Sequence, residues 1–175
     1  MRELADKERI HRFMRALGDA ARRDVRIYWV GGTTAVLLGW RATTIDVDLV
    51  MQPEDEILLR AIGSLKESLR LNVELASPAD FIPVPPGWED RSMFITTVGR
   101  VSFYHYDLYA QAMAKVERGH QQDLNDVQEM LSRGLIEPAQ ARAYFARLEP
   151  ELYRFPAIHA PTFRAAVHAV FGSGR

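Results

Sequence analysis

At 175 residues, 47% of them apolar and 26% charged, the chain has the size and composition of one compact domain, or of a core with a helical appendage. The absence of cysteine excludes disulfides, a thiolate nucleophile and Cys-ligated zinc or iron–sulfur centres. A net charge of −1 excludes a global pull toward nucleic acid, so any such partner must be held by a local patch.

The opening MRELADKERIHRF is charged throughout and lacks the apolar stretch of a signal peptide. No segment approaches the roughly 20 apolar residues of a membrane span, so a cytoplasmic protein with no membrane partner is expected. Ile10, Phe13, Met14 and Leu17 follow helical spacing and predict an amphipathic helix over 2–23, whose arginines form a solvated face, with guidance of an RNA substrate as the alternative. Ile27–Val30 is a short β-branched and aromatic run stopped by Gly31–Gly32, which predicts a buried strand. Thr33 or Thr34 then caps a helix through Leu38. A second strand is expected over Ile45–Met51, a helix over Glu54–Leu69 and a third strand over Leu71–Ala76. Pro78, Pro83, Pro85, Pro86 and Gly87 force an irregular loop. Met93–Thr97 and Arg100–Tyr104 read as a hairpin. Helices follow near 107–118, 123–133, 138–148 and 162–171. The fold class is therefore α/β (α+β), a small mixed sheet with flanking helices. Residues 1–106 are expected to form the core and 107–175 a helical part.

Asp46 and Asp48 carry the most chemistry. On a strand they point the same way, about 7 Å apart at Cα, while Ile45, Val47, Leu49 and Met51 face the core. Like charges so placed repel, and a hard divalent cation removes the conflict. A solvated acidic edge gives the same pattern. The Gly31–Gly32 turn lets backbone approach a ligand, and helix-start amides favour phosphate. On that basis Gly32→Val is expected to lose triphosphate binding more than stability, through blocked approach and strain at a positive φ. The order strand, Gly–Gly, short helix, D-x-D strand suits phosphoryl or nucleotidyl transfer.

The segment VGGTTAVLLGWRATTIDVDLV resembles the opening of the nucleotidyltransferase fold shared with polymerase beta, in the form found in AbiEii-type toxins. Thr44, Asp46 and Asp48 fall on that group's T-x-D-x-D strand. The later AKVERGHQQDLNDVQEML is similar to its helical motif, with Lys115, Arg118, Asp123 and Asp126 on it. The resemblance implies a transferase that moves an NMP from an NTP to a hydroxyl of RNA (tRNA among them) or protein, with Mg²⁺ or Mn²⁺ as cofactor. It also implies the toxin of a toxin–antitoxin pair, with a cognate antitoxin as partner. Asp46 and Asp48 would hold the metal, and Glu74 on the next strand would be the third acid, as ligand or base, with Asp80 as its competitor. Val73 and Leu75 are expected to point inward around it. Gly31, Gly32, Thr33, Arg41, Thr44, Arg118 and Asp126 are the substrate-side candidates; many members of the fold carry Gly–Ser where this chain has Gly31–Gly32, and Thr33 would replace the serine hydroxyl. Lys115 would neutralise phosphate charge, Asp126 would position it, and Asp123 reads as a helix cap. The five histidines show no ligand spacing. Phe103, Tyr104, Tyr106 and Tyr109 read as core, with base stacking as the alternative. A nucleotide binder without turnover and an interaction module with a solvated acidic face remain the competing readings.

Overall fold

The computed structural model describes residues 2–174. By their contacts these fall into two compact units. One holds the chain up to Ser77 together with Ser92–Tyr106. The other holds Pro78–Arg91 and the chain from Asp107 onward. The proline-rich excursion thus groups with the helices, whereas the sequence places it with the core.

The first unit is a mixed sheet backed by helices, the α+β class expected. Helix α1 (Lys7–Ala20) is capped by Asp6, whose carboxylate accepts the Arg9 amide at 2.8 Å. It is shorter than 2–23 because a two-residue strand, β1 (Ala5–Asp6), precedes it and pairs antiparallel with β3 (Thr43–Thr44). The main sheet contains β2 (Val25–Val30), β4 (Asp46–Gln52), β5 (Asn72–Leu75), β6 (Met93–Val98) and β7 (Val101–His105), in the order β5-β4-β2-β7-β6. Strand β2 runs antiparallel to β4 and parallel to β7, and β4 runs parallel to β5. Helices α2 (Gly32–Leu38) and α3 (Glu56–Ser68) complete the unit.

One sheet face is the core. Ile27, Trp29, Val47, Leu49, Val101 and Phe103 are fully buried with Ile10, Phe13 and Leu17 of α1 and Leu58 of α3. Each such side chain contributes roughly 1.5–3 kcal/mol on burial. Trp29 stacks on Phe103 at 5.8 Å and meets Phe13 at 6.1 Å.

Two expected core positions differ. Ile45 is 70% exposed because β4 begins only at Asp46, so the alternation starts one residue later. Leu75 is 52% exposed: it ends β5, the edge strand, beyond the apolar cover that buries Val73.

The second unit is helical: α4 (Trp88–Arg91), α5 (Leu108–Arg118), α6 (Gln121–Ser132), α7 (Pro138–Leu148) and α8 (Ala160–Phe171), with 3-10 turns at Pro78–Asp80 and Glu149–Arg154. Its centre is polar as well as apolar. Fully buried Asp107 caps α5 through the Tyr109 amide at 3.1 Å, accepts from Arg91 Nε at 2.8 Å and from the Tyr144 hydroxyl at 3.0 Å. Arg91 also donates to the carbonyls of Pro85 and Pro86, which orders the proline-rich segment against α5 without regular structure.

Candidate active site

Strand β2 is followed by Gly31, whose φ of +65° lies in the region that favours glycine. Gly32, the first residue of α2, does not share that conformation. Its constraint is packing: a Cβ there would overlap Thr44 Oγ1 and sit 2.7 Å from Thr44 Cβ. The two glycines therefore divide the tasks that the sequence assigns to Gly32 alone. Gly31 makes the turn, and Gly32 lets β3 lie against the start of α2.

Gly32→Val should consequently cost stability, by about 1–3 kcal/mol for an overpacked site. At roughly 2–4 °C per kcal/mol for a chain of this size, the melting temperature should fall by several degrees. Thr44→Gly in the same chain should recover much of the loss, as a double-mutant cycle by thermal unfolding would measure. Additive losses would show that Thr44 is not the obstacle.

The turn meets the acidic strand directly. Val30 pairs with Asp48 in the β2–β4 ladder, and Asp48 Oδ2 lies 3.6 Å from where a Gly31 Cβ would stand. Asp46 and Asp48 are both half-buried on the face opposite the core, as alternation requires. Parallel pairing with β5 sets Glu74 beside Asp48 and Asn72 beside Asp46. Asn72 Nδ2 donates to Asp46 Oδ1. Glu74 is exposed, so its carboxylate is accessible on that face. Asp80 lies in the 3-10 turn of the helical unit, not on the sheet.

Two of the proposed substrate residues are buried. Thr44 is 7% exposed and donates its hydroxyl to the Asp46 carbonyl at 3.0 Å, so it braces the start of β4 from below. Thr33 is fully buried, and its hydroxyl has no hydrogen-bond partner among the described residues. Arg41 does reach the turn: its guanidinium Nη1 comes within 3.2 Å of the Gly32 Cβ position.

Asp48 against a glycine backbone, with Glu74 in register, is the geometry that joins the sequence motifs. Residues 8–141 match a family described as a nucleotidyltransferase of unknown function (DUF6036). The chain belongs to that nucleotidyltransferase family. No curated protein and no solved structure matches it. The family match does not extend to the AbiEii-type group, which stays a resemblance.

The β4 face that carries Asp46 and Asp48 can be tested against a metal. Among the described residues, no three acidic or histidine side chains converge as a ready-made metal cage. The donor set is nevertheless suitable: Mg²⁺ commonly takes one or two carboxylates and completes its shell with substrate phosphates and water. Asp46 and Asp48 fit that requirement, and Glu74 flanks it.

The second motif folds into a buried charge network in the helical unit. Lys115 is 6% exposed, and its ammonium donates to Asp126 Oδ2 at 2.8 Å and lies 3.8 Å from Asp123 Oδ1. Arg118 grips Asp123 with both Nε and Nη2, at 2.8 and 2.5 Å. Asp126 thus holds Lys115 as expected. His120 occupies the N-cap of α6, and Asp123, inside the first turn, caps from there by accepting the His120 backbone N–H. Burial alone would raise the Asp123 carboxyl, but the Arg118 guanidinium, with Lys115 nearby, holds it below its usual value. Two cations balance two carboxylates here, so Lys115 carries little uncompensated charge toward a phosphate.

Sequence reasoning missed His105. It ends β7 opposite Trp29 and is 2% exposed. The Thr34 hydroxyl donates to the Trp29 carbonyl at 3.2 Å, which leaves its oxygen to accept from His105 Nδ1 at 3.1 Å. His105 therefore anchors α2 one turn behind the Gly31 bend. Burial lowers its pKa from the usual 6.5 to about 4. The only signal in sequence is a histidine closing a β-branched and aromatic strand, and spacing rules for metal ligands pass over it.

Proposed function

We propose that the chain moves a nucleoside monophosphate from an NTP to an acceptor hydroxyl on the open face of β4 and β5. The observation that carries this reading is the Asp48 carboxylate seated against the Gly31 backbone with Glu74 beside it in register. Asp46 and Asp48 would hold a divalent cation, Mg²⁺ or Mn²⁺, which when bound neutralises charge on the triphosphate and the departing pyrophosphate. The Gly31 turn admits the phosphates close to the backbone, and Arg41 orients them. Glu74 accepts the acceptor's hydroxyl proton as its oxygen bonds to the α-phosphorus and the α–β bridging bond breaks. The AbiEii resemblance supports RNA, tRNA included, or protein as acceptor, and a toxin role with an antitoxin partner.

Incubation with each labelled NTP, Mg²⁺, total RNA and lysate protein tests the reading. It expects pyrophosphate release coupled to labelled acceptor. Glu74→Gln should slow single-turnover transfer by about 10²-fold, the lower end for losing an acid–base group, since Glu74 is exposed. NTP affinity should change little, and Asp80→Asn should act like wild type. The reverse pattern would transfer the base role to Asp80. A nucleotide-binding module without turnover is the second reading, favoured by the acids' failure to form a three-ligand cluster among the described residues. NTP binding with no pyrophosphate released under any condition would establish it.

A further inference from the structure

The sheet face that carries Asp46 and Asp48 holds a second feature at its other end. Val30 pairs with Asp48 and Arg26 with Gln52 in the β2–β4 ladder. Paired residues project to the same side, as do alternate residues along one strand. Arg26, Tyr28 and Val30 therefore share the face of Asp48, and the β2–β7 pairing adds Ser102 and Tyr104. Four residues of β2 separate the two ends, about 13 Å at roughly 3.3 Å per residue. At the far end Arg26, Gln52, Thr97, Arg100, Ser102 and Tyr104 help line an open groove of about 770 Å³.

The chemistry of the groove selects an anion. Asp24, the acid in its lining, already accepts from Arg100 Nε at 2.9 Å. The lining of the groove holds two guanidinium groups and one carboxylate, in a chain whose overall balance is slightly negative. Arg26 is exposed, and so is half of the Arg100 side chain. The hydroxyls of Thr97 and Ser102 bond each other at 3.1 Å, and two hydroxyls in one bond keep further capacity for an incoming oxygen.

Between this groove and the acidic end lies an aromatic step. Tyr104 stacks on Tyr28 at 5.0 Å and takes the edge of Phe94 at 5.5 Å. Phe94 pairs with Tyr104 in register on the edge strand β6, yet it is 57% exposed. Core packing explains Tyr28, which is fully buried, but not a phenyl ring left open against Tyr104, a residue of the groove's lining.

We propose that this groove binds a short single-stranded nucleic acid, with Arg26 and Arg100 on its phosphates and Phe94 and Tyr104 beneath a base. A basic groove next to an aromatic platform is how sequence-tolerant single-strand sites work. Neither a free phosphate nor an acidic peptide would use the rings. The inference deepens the transferase reading and rests on it in one respect, that the bound strand is the acceptor.

Fluorescence anisotropy on the full chain with a labelled single-stranded RNA octamer tests the groove, run over a salt series with an unfolding midpoint for every variant. Wild type should bind with an affinity that falls as salt rises. Arg26→Gln should reduce the slope of log affinity against log salt by about 1. Phe94→Ser should weaken binding about 10-fold with the slope unchanged, since stacking carries no counterion. Wild-type affinity and slope in both Arg26→Gln and Phe94→Ser would overturn the proposal, as would a polyglutamate peptide that outcompetes RNA in an Arg26-dependent way. RNA binding without any NTP turnover would sink the transferase reading and leave the groove standing. Turnover without RNA binding would sink the groove alone.

Discussion

Asp48→Asn should leave a folded protein in which Mg²⁺ no longer supports NTP turnover. Asp48 is the acid closest to the Gly31 backbone, so its charge sits where the phosphates would arrive. A cation so held supplies several kcal/mol of charge stabilisation; at 1.36 kcal/mol per decade, its loss costs about 10³–10⁴-fold in rate. Asp46→Asn should act in the same direction. Asparagine there keeps an oxygen for the Asn72 amide, so the β4–β5 contact survives. Without metal, Asp46→Asn should melt no earlier than wild type, since one of two like charges is removed and the Asn72 contact is kept. Single-turnover kinetics and Mg²⁺ titrations on both variants, with thermal unfolding alongside, separate the metal role from a folding role. Full Mg²⁺-dependent activity in Asp48→Asn would falsify the metal-site assignment.

The sheet is legible in the sequence because its strands are short apolar runs between glycines and prolines, and because Asp46 and Asp48 interrupt one of them with period two. That period by itself puts both acids on one face. It does not show where β4 begins, so Ile45 reads as core. Nor does it show the register of β5, which alone makes Glu74 the neighbour of Asp48 and Asn72 the neighbour of Asp46. The strands β1 and β3 leave no mark in the sequence because two residues carry no periodicity. Their pairing is nonetheless what places Thr44 against Gly32 and so determines why that position is glycine.

In the helical motif the residues come together, but buried rather than solvated. A lysine on a helix reads as a solvated cation, because an unpaired buried charge is costly. The expectation changes once Asp123 and Asp126 arrive from the next helix within 3.8 and 2.8 Å. Buried ions that neutralise one another fix how two helices join, and removing one partner leaves the other uncompensated. The Lys115 network is thus first an α5–α6 clamp.

His105→Gln should make the protein less sensitive to acid. In the unfolded chain the imidazole takes a proton near pH 6.5; in the folded chain burial delays this to about 4. Between those values the unfolded state holds the extra proton, so stability rises with pH across the window. The stability is fully present above 6.5, declines as pH falls toward 4, and declines no further from this group below that. The full shift corresponds to about 3 kcal/mol, of which about 2 kcal/mol should be lost between roughly pH 7.5 and pH 5. Glutamine keeps an amide donor for Thr34 without titrating, so its stability curve should be flatter by that amount. Carboxylates held low by partners, such as Asp24 with Arg100 and Asp55 with the Leu58 amide, add their own loss at lower pH. They do so equally in both proteins, so the difference curve isolates the histidine. Urea unfolding of wild type and His105→Gln at several pH values between about 4 and 8 measures it. Parallel curves through that window would mean that the imidazole charges without penalty and that His105 does not anchor α2 as a neutral group. Because Thr34 links His105 to the helix behind Gly31, acid should loosen the glycine turn before the rest of the sheet. NTP affinity in wild type should then fall with acid through the same window, and in His105→Gln it should not.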